Sequence, residues 1–360
     1  MAFATSRGPV SALASRGVAR VRAASSVCGP RALGPHDART GPRTGRRGSP
    51  CPASDFTDAE VVAEVPAVPS TALAVDESPK KVSGPTIIVS GGSQGTGLAL
   101  AKIYAKKGYN VVLAARNEEV LQEAKGAVLR ELPAGTTDAE DRVAAVPCDI
   151  TSPSQVKALA QEVALRFEEV TVLANVAGVC MSGSFEDHSL EDFQSQMDVN
   201  FMGAVAVTQA FLPRLRETAK RKGRAHIAVV NSFGGRIPLR NMSAYTASKY
   251  ALAGWTDVLR AELEGSGIKV TQVQPGVIKS AFMSRAQFRG ADGAKAQQSM
   301  AQMLENGVPG FTQTPEEVAR DVQYGIENCK DEVVVGGVFK AILKSYRLTG
   351  ANPFAIAPPQ

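Results

Sequence analysis

Runs of apolar residues alternate with amphipathic stretches along the chain from residue 85 onward. Short, continuously apolar and often β-branched runs predict strands at 86–90, 110–116, 142–149, 170–178, 226–232, 269–276 and 332–337. Apolar positions at helical spacing predict helices over 98–108, 117–131, 152–167, 243–265, 285–306 and 314–328. Strands that are apolar throughout and alternate with helices are typical of a parallel sheet covered on both faces. The pattern therefore predicts an α/β fold with a doubly wound parallel sheet.

The first 82 residues lack this alternation and divide into two zones by composition. Residues 1–50 are rich in Arg, Ala, Ser, Gly and Pro, and nine Arg stand against a single acid, Asp37. This composition is typical of an organelle transit segment, although a disordered basic arm would share it. We expect the plastid stroma as the location, with the mitochondrion as the alternative. Residues 51–82 form an acidic, Pro/Ala-rich stretch that predicts a linker, before a folded domain over 83–345 and a tail over 346–360.

Composition argues against several classes of function. The formal net charge of +5 arises in the Arg-rich leader, because the rest of the chain carries more acids than bases, so the folded part gives no electrostatic reason to bind nucleic acid. Five Cys without paired spacing indicate a reducing compartment rather than a disulfide framework. Three dispersed His predict no metal site. No apolar run approaches the ~18–20 residues of a transmembrane helix, so none is expected.

A glycine-rich stretch, VSGGSQGTGLALA at 89–101, follows the first predicted strand and opens the first predicted helix. Gly91, Gly95 and Gly97 are spaced as Gly-x3-Gly-x-Gly, which keeps Cβ atoms out of a turn where a phosphate must approach the backbone. The amino end of the helix offers unpaired N–H groups and a partial positive charge to a pyrophosphate. The spacing alone arises often by chance, but its position between strand and helix predicts a dinucleotide site.

Residues that close the next two strands bear on the choice of cofactor. An acid at the end of the second strand would bind the ribose 2′-hydroxyl of NAD and repel a 2′-phosphate. Ala115 and Arg116 stand there instead, so the sequence favours NADP(H), unless Arg116 is only a solvated surface side chain. Asp149, at the end of the third strand, is placed to accept a hydrogen bond from the adenine amine, or to help cap the helix that follows.

A Ser, a Tyr and a Lys farther along the chain form the candidate catalytic group. Tyr245 and Lys249 are four residues apart at the start of a predicted helix, so they share one face, and Ser232 ends the preceding strand. Reduction of a ketone by hydride leaves an alkoxide that must be protonated. A free phenol titrates near ~10, a neighbouring ammonium can lower its pKa, and a serine hydroxyl can polarise the carbonyl. These residues therefore predict proton transfer to a carbonyl oxygen.

Together these motifs resemble the classical short-chain dehydrogenase/reductase family over about residues 85–340. The resemblance rests on SGGSQGTG (90–97), NVAG (175–178), DVN (198–200), Ser232, YTASK (245–249) and PGVIKS (275–280). It implies a catalytic tetrad of Asn200, Ser232, Tyr245 and Lys249. It also implies cofactor contacts from Ser90, Gly91, Ser93, Gln94, Gly95, Thr96, Gly97, Arg116, Asp149, Ile150, Asn175, Ala177, Gly178, Tyr245, Lys249, Pro275, Gly276, Val277 and Ser280. Purely structural roles for Asn200 and for NVAG are the alternatives.

The resemblance further implies a single Rossmann-type domain with seven parallel strands in the order 3-2-1-4-5-6-7, assembled as a homodimer or homotetramer. The implied activity is NADPH-dependent hydride transfer between nicotinamide and a small-molecule ketone or secondary alcohol of fairly apolar character. A 3-ketosphinganine-type reductase and a 3-oxoacyl-carrier-protein reductase are alternatives, and basic residues that could bind an acidic carrier are Lys279, Arg285 and Arg289. A non-catalytic NADPH-binding scaffold or sensor is the alternative of another class. Segment 282–303 is expected to form a lid over the substrate or a packed helix.

Overall fold

The structure is a computed structural model that describes residues 81–280, 282, 285–307, 310–352 and 354. The predicted transit segment, nearly all of the predicted linker and part of the predicted tail lie outside these residues. Those assignments therefore stay predictions.

Seven parallel strands form the main sheet in the predicted order 3-2-1-4-5-6-7. They are β1 (Thr86–Ser90), β2 (Asn110–Ala115), β3 (Val143–Pro147), β4 (Val172–Asn175), β5 (Ala225–Val230), β6 (Ile268–Gln274) and β7 (Glu332–Val334). The strand β1 lies inside the sheet, where Ile87 pairs with Val111 of β2 on one side and with Val172 of β4 on the other. The predicted fold class and strand order are confirmed.

Helices cover both faces of this sheet. The described helices are α1 (Gly95–Lys106), α2 (Glu118–Leu129), α3 (Ala139–Arg142), α4 (Pro153–Arg166), α5 (Leu190–Met197), α6 (Gly203–Lys222), α7 (Ser243–Glu262), α8 (Gly293–Asn306), α9 (Pro315–Glu327) and α10 (Gly337–Thr349). A π-helical turn, Asp198–Met202, joins α5 to α6. Within the described part of the chain, no helix combines the length and apolar character that a membrane span requires.

Two hydrophobic clusters fill the space between sheet and helices, because consecutive strand residues point to opposite faces. Ile88 belongs to the cluster beneath α4, α6 and α7, where Phe211 is also fully buried. Its neighbour Ile87 belongs to the cluster beneath α1, α2 and α9, together with Leu100. Burial on both faces explains why the strands are apolar throughout rather than alternating.

Three segments differ from the sequence-based expectations. The predicted helix over 285–306 begins only at Gly293, because Gln287–Phe288 form a short strand with Met181–Ser182 and Gly290 turns the chain with a φ of +80°. The strand expected over 170–178 ends at Asn175, where the chain leaves the sheet. The helix α10 has no counterpart among the predicted elements, and it runs through the predicted boundary between domain and tail at residue 345.

Candidate active site

Loops at the carboxyl ends of β1, β4, β5 and β6 surround one cleft with a volume of about 420 Å³. The predicted site residues that line it are Gly91, Gln94, Gly95, Thr96, Gly97, Ala177, Gly178, Ser232, Tyr245, Lys249, Pro275, Gly276, Val277 and Ser280. The glycine turn and the Ser-Tyr-Lys group therefore face the same space, at the sheet edge where open α/β folds bind their ligands.

Close packing explains the glycines of the phosphate turn. Gly91 has a φ of +74°, and a Cβ there would lie 2.8 Å from the backbone N and Cα of Ala177. A Cβ on Gly97 would overlap the carbonyl oxygen of Gly91. No side chain caps the amino end of α1, where Gln94 is the N-cap residue. The first N–H groups of α1 are thus left without a side-chain cap beside the cleft, which fits the pyrophosphate of a dinucleotide.

The two residues that bear on the adenosine side lie outside the cleft lining. Arg116 follows β2 and is exposed. One carboxylate oxygen of Asp149 accepts hydrogen bonds from the backbone N of Thr151 at 2.9 Å and from its hydroxyl at 2.8 Å. Burial works to raise the pKa of Asp149, but the Thr151 hydrogen bonds and the charge of Arg116 hold it below its usual range. This carboxylate therefore stays ionised and stabilises the turn before α4.

The first two turns of α7 carry the candidate acid and its cationic neighbour. Tyr245 and Lys249 are both buried, with 6% and 3% of their surfaces exposed, and the Lys249 Nζ lies 5.9 Å from the centroid of the Tyr245 ring. Ser232 hydrogen-bonds the Tyr245 side chain, and its own Oγ accepts from the backbone N of Gly234 at 3.0 Å. Ser232, two residues after the end of β5, and the two α7 side chains thus lie close together.

Burial shifts both titrating groups away from their ordinary ranges. It raises the pKa of Tyr245, which the hydrogen bond from Ser232 offsets only in part. Burial also lowers the pKa of Lys249 to about 8. A third buried group, the Cys180 thiol, has its pKa raised to about 12 by burial. At neutral pH the phenol is therefore a neutral donor, rather than the acidified group that the Tyr-Lys pairing led us to expect.

Asn200 connects the loop after β4 to α7. It lies in the π-helical turn and is 1% exposed, and its Oδ1 accepts from the backbone N of Val179 at 2.8 Å. Its Nδ2 donates to the carbonyl oxygen of Val179 and to the hydroxyl of Ser248, both at 3.0 Å. A Cβ on Gly178 would lie 3.1 Å from Asn200 Oδ1 and 3.5 Å from Lys249 Nζ, so a larger residue there would press on the Asn200 amide.

Seven other predicted residues do not line the cleft: Ser90, Ser93, Arg116, Asp149, Ile150, Asn175 and Asn200. The Asn175 amide donates to the hydroxyl of Thr208 at 2.9 Å, and the Ser90 hydroxyl accepts from the backbone N of Val176 at 3.3 Å. The Ile150 side chain packs where a Cβ on Gly203 would otherwise sit. Ser90, Ile150 and Asn175 thus make contacts within the protein. The cofactor contacts predicted for these residues, and the catalytic role predicted for Asn200, stay predictions.

Several cleft residues escaped the sequence analysis. Cys180 belongs to the same small apolar cluster as Tyr245. Most of the other unpredicted lining side chains are apolar, apart from Asn231 and Arg285, and the apolar ones include Leu239, Met242, Phe282, Met300, Met303, Phe311, Phe339 and Phe354. The amphipathic pattern of 282–303 was the one local signal in the sequence for this apolar lining. The Phe339 ring reaches the cleft because residue 276 is a glycine; a Cβ on Gly276 would overlap this ring.

The basic residues considered for a carrier-protein surface have different surroundings. Arg289 forms a two-pronged ion pair with Asp192, at 2.8 and 3.1 Å. The Lys279 ammonium donates to the carbonyl oxygen of Glu305 at 3.3 Å. Arg285 lines the cleft. Two of the three are thus engaged within the protein, which weakens the case for a basic docking surface.

Comparison with known proteins agrees with this geometry. The sequence model of the short chain dehydrogenases matches residues 85–290. A mouse protein, dehydrogenase/reductase SDR family member 7B, is 32% identical over 249 residues, which cover 69% of this chain and 72% of the relative. The ketoacyl reductase HetN of Nostoc sp. is 30% identical over 71% of this chain and 79% of its own. The 3-dehydrosphinganine reductase of Danio rerio is 32% identical over 56% and 58%.

Solved structures show the same fold. A short-chain dehydrogenase from Streptomyces avermitilis has a TM-score of 0.62 at 25% identity, over 74% of this chain and 93% of its own. The actinorhodin polyketide ketoreductase with NADPH has a TM-score of 0.60 at 25% identity, over 71% and 97%. A relative from Burkholderia phymatum in complex with NAD has a TM-score of 0.66 at 22% identity, over 77% and 98%. With its glycine turn and its Ser-Tyr-Lys group in one cleft, the chain belongs to the short-chain dehydrogenase family.

Proposed function

We propose that this short-chain dehydrogenase is an NADP(H)-dependent reductase of ketones, which in reverse oxidises the secondary alcohols. The observation that carries the proposal is the surroundings of the Tyr245 phenol. The phenol is hydrogen-bonded by Ser232 and lies one helical turn from Lys249, in the cleft that the glycine turn also lines.

The chain's own residues fit the cofactor. No side chain at Gly91 or Gly97 stands between the backbone and a pyrophosphate, and Arg116 offers a cation, rather than the acid of an NAD site, to a ribose 2′-phosphate. When bound, NADP(H) supplies the hydride for the carbonyl carbon. The related structures were solved with NADPH in one case and with NAD in another, so the preference for NADP(H) rests on Arg116.

Three side chains manage the charge that develops on the carbonyl oxygen. The Ser232 hydroxyl donates a hydrogen bond to this oxygen, and Tyr245 donates its phenolic proton as negative charge grows there. The Lys249 ammonium stabilises the phenolate that remains. Because burial raises the pKa of Tyr245, the phenol is protonated at neutral pH, as the reductive direction requires.

Asn200 contributes to this chemistry by position. Both ends of its amide are engaged with Val179 and Ser248, so it holds the loop after β4 against the helix that carries Tyr245 and Lys249. The place in the catalytic tetrad that the family resemblance implies for Asn200 therefore requires an atom of this residue other than those of the side-chain amide.

The proposal is tested by following NADPH oxidation with a panel of ketones. Tyr245→Phe is compared with the matched control Tyr250→Phe, a tyrosine on the same helix that is 39% exposed and does not line the cleft. Tyr245→Phe should lower kcat by about 10²–10⁴ and leave NADPH affinity intact, whereas the control should match the wild type. If the wild type binds NADPH but turns over no ketone, the scaffold alternative is favoured.

The panel should include 3-ketosphinganine and a 3-oxoacyl thioester, because two relatives carry the names 3-dehydrosphinganine reductase and ketoacyl reductase.

We also propose a plastid stroma location, which expression of residues 1–50 fused to a fluorescent protein would test against a mitochondrial marker. We propose a homodimer or a homotetramer because members of this family usually form such oligomers, and light scattering of the purified protein distinguishes the two.

A further inference from the structure

One side of the cleft is a wall of aromatic rings. Phe233, the residue after Ser232, has its ring centroid 4.6 Å from that of Phe339 and 5.5 Å from that of Phe354. The Phe311 centroid lies 5.5 Å from that of Phe339. These spacings and the steep interplanar angles are typical of edge-to-face packing, so the rings support one another. We call these four residues the phenylalanine wall.

The wall has a rigid inner layer and a more exposed outer layer. Phe233 and Phe339 are buried, at 4% and 3% exposure. Phe311 and Phe354 are only half-buried, and both line the cleft. A ligand that covered the outer pair would remove apolar surface from water, which favours binding in proportion to the area covered.

The chain beyond α10 folds back to bring Phe354 to this wall. Gly350, with a φ of +69°, ends the helix. The Asn352 amide then donates to the carbonyl oxygen of Pro238 at 2.9 Å, and its Oδ1 accepts from the backbone N of Phe354 at 3.0 Å. Specific hydrogen bonds therefore fix Phe354 at the edge of the cleft.

The wall offers no charged partner to a substrate. Met300 and Met303 of α8 add further apolar lining. Apart from the buried Lys249, the one charged side chain among the described lining residues is Arg285. Burial lowers the pKa of the Arg285 guanidinium, and the positive charge of Arg116, at the end of β2, lowers it further. Arg285 is therefore near Arg116 and belongs to the adenosine side of the cleft. A charged group against the wall would lose its hydration without compensation.

We propose that the substrate is a neutral ketone whose apolar arm lies along the phenylalanine wall, and that Phe354 limits the length of that arm. This inference rests on the proposed reduction of ketones and adds to it the polarity and the size of the substrate. Each methylene that the wall buries should increase affinity about fourfold, until the chain meets Phe354.

Binding is measured by calorimetry, so that the test does not depend on turnover. Straight-chain methyl ketones from butanone to tetradecanone are titrated into Tyr245→Phe with saturating NADPH. A keto acid with a terminal carboxylate, matched in length to one of the ketones, is the charged probe. Phe354→Ala and Phe354→Trp are then introduced, with Leu348→Ala as the control, because Leu348 is 77% exposed and lies in α10, just before the segment that carries Phe354.

Affinity should rise about fourfold per methylene and then level off, with the keto acid at least about tenfold weaker than its neutral match. Phe354→Ala should move the plateau to longer ketones and improve binding of the longest about tenfold, while Phe354→Trp should move it to shorter ones. Equal binding of keto acid and ketone, no binding of any ketone, or an unchanged length profile in both Phe354 variants would overturn the inference. Normal length-dependent binding without turnover in the wild type would instead overturn the proposed reductase activity.

Discussion

Replacement of Gly97 by alanine tests the idea that the glycine turn is shaped for a pyrophosphate. Gly97 lies in the first turn of α1, where alanine is favoured over glycine by up to about 1 kcal/mol. A Cβ at this position, however, would overlap the Gly91 carbonyl oxygen and lie 2.9 Å from the Gly91 carbonyl carbon and 3.1 Å from Gly92 Cα. These are backbone atoms, so no flexible side chain can move aside to make room.

The strain and the gain in helix propensity both act on stability, whereas only the strain acts on NADPH binding. Overpacking of this kind costs about 1–3 kcal/mol, which the gain in helix propensity offsets in part, so the free energy of unfolding should fall by less than about 3 kcal/mol. The displaced atoms belong to the phosphate turn itself. Helix propensity does not offset this strain on binding, so the free energy of NADPH binding should weaken by about 1–3 kcal/mol, which is a rise in Kd of about 5- to 150-fold.

The change in NADPH fluorescence on binding measures Kd, and urea unfolding measures stability. Gly126→Ala in α2 is the matched control, because the nearest atom to its Cβ is the end of the Arg130 side chain at 3.8 Å. The control should bind NADPH like the wild type and be equally stable or stabilised by up to about 1 kcal/mol. Wild-type affinity in Gly97→Ala would refute the assignment of this turn to the phosphates.

Three further predictions concern charge. Arg116→Glu should raise the Kd for NADPH at least about tenfold and spare that for NADH, because a carboxylate repels the 2′-phosphate; parallel titrations that showed equal losses would contradict the role given to Arg116. Burial lowers the pKa of Lys249 to about 8, so kcat for reduction should fall as the pH rises through about 8 and the ammonium loses its proton. The pH profile of Lys249→Arg should lack this decrease, because the guanidinium stays charged. Burial lowers the pKa of His226 from 6.5 to about 3, so below pH 6.5 only the unfolded chain gains a proton and stability should decline by up to about 1.4 kcal/mol per pH unit. In urea unfolding, His226→Gln, which can keep the hydrogen bond to Thr271, should flatten this decline, and an equally steep decline would assign it to other groups.

The strand pattern predicted most of the fold, because a strand buried on both faces is apolar at every position, as TIIVS at 86–90 is. Periodicity does not say which strands pair, so the strand order came from the family resemblance. The stretch around Gln287–Phe288 was missed for a related reason. Its two-residue strand exists only because Met181–Ser182 lies alongside, and no local pattern encodes a partner so distant in the chain.

The site divides in the same way. The glycine turn and the Tyr245–Lys249 pair are local motifs whose geometry follows from one turn or one helix, and the structure brings them together with Ser232. The phenylalanine wall is assembled from residues on four separate segments. Nothing near Phe354 in the sequence distinguishes it from a surface residue, and only the reversal of the chain after α10 places it against Phe233.

The position of β1 inside the sheet determines the order in which the sheet can assemble during synthesis. The partner strand β2 follows it after one helix, so the half-sheet β3-β2-β1 can form early. The other edge of β1 stays open until β4 is made, 57 residues after the end of β2, which takes roughly 3–11 s at ordinary translation rates. For that time an apolar strand edge is available to pair with other chains, and a chaperone that covers it would prevent that pairing.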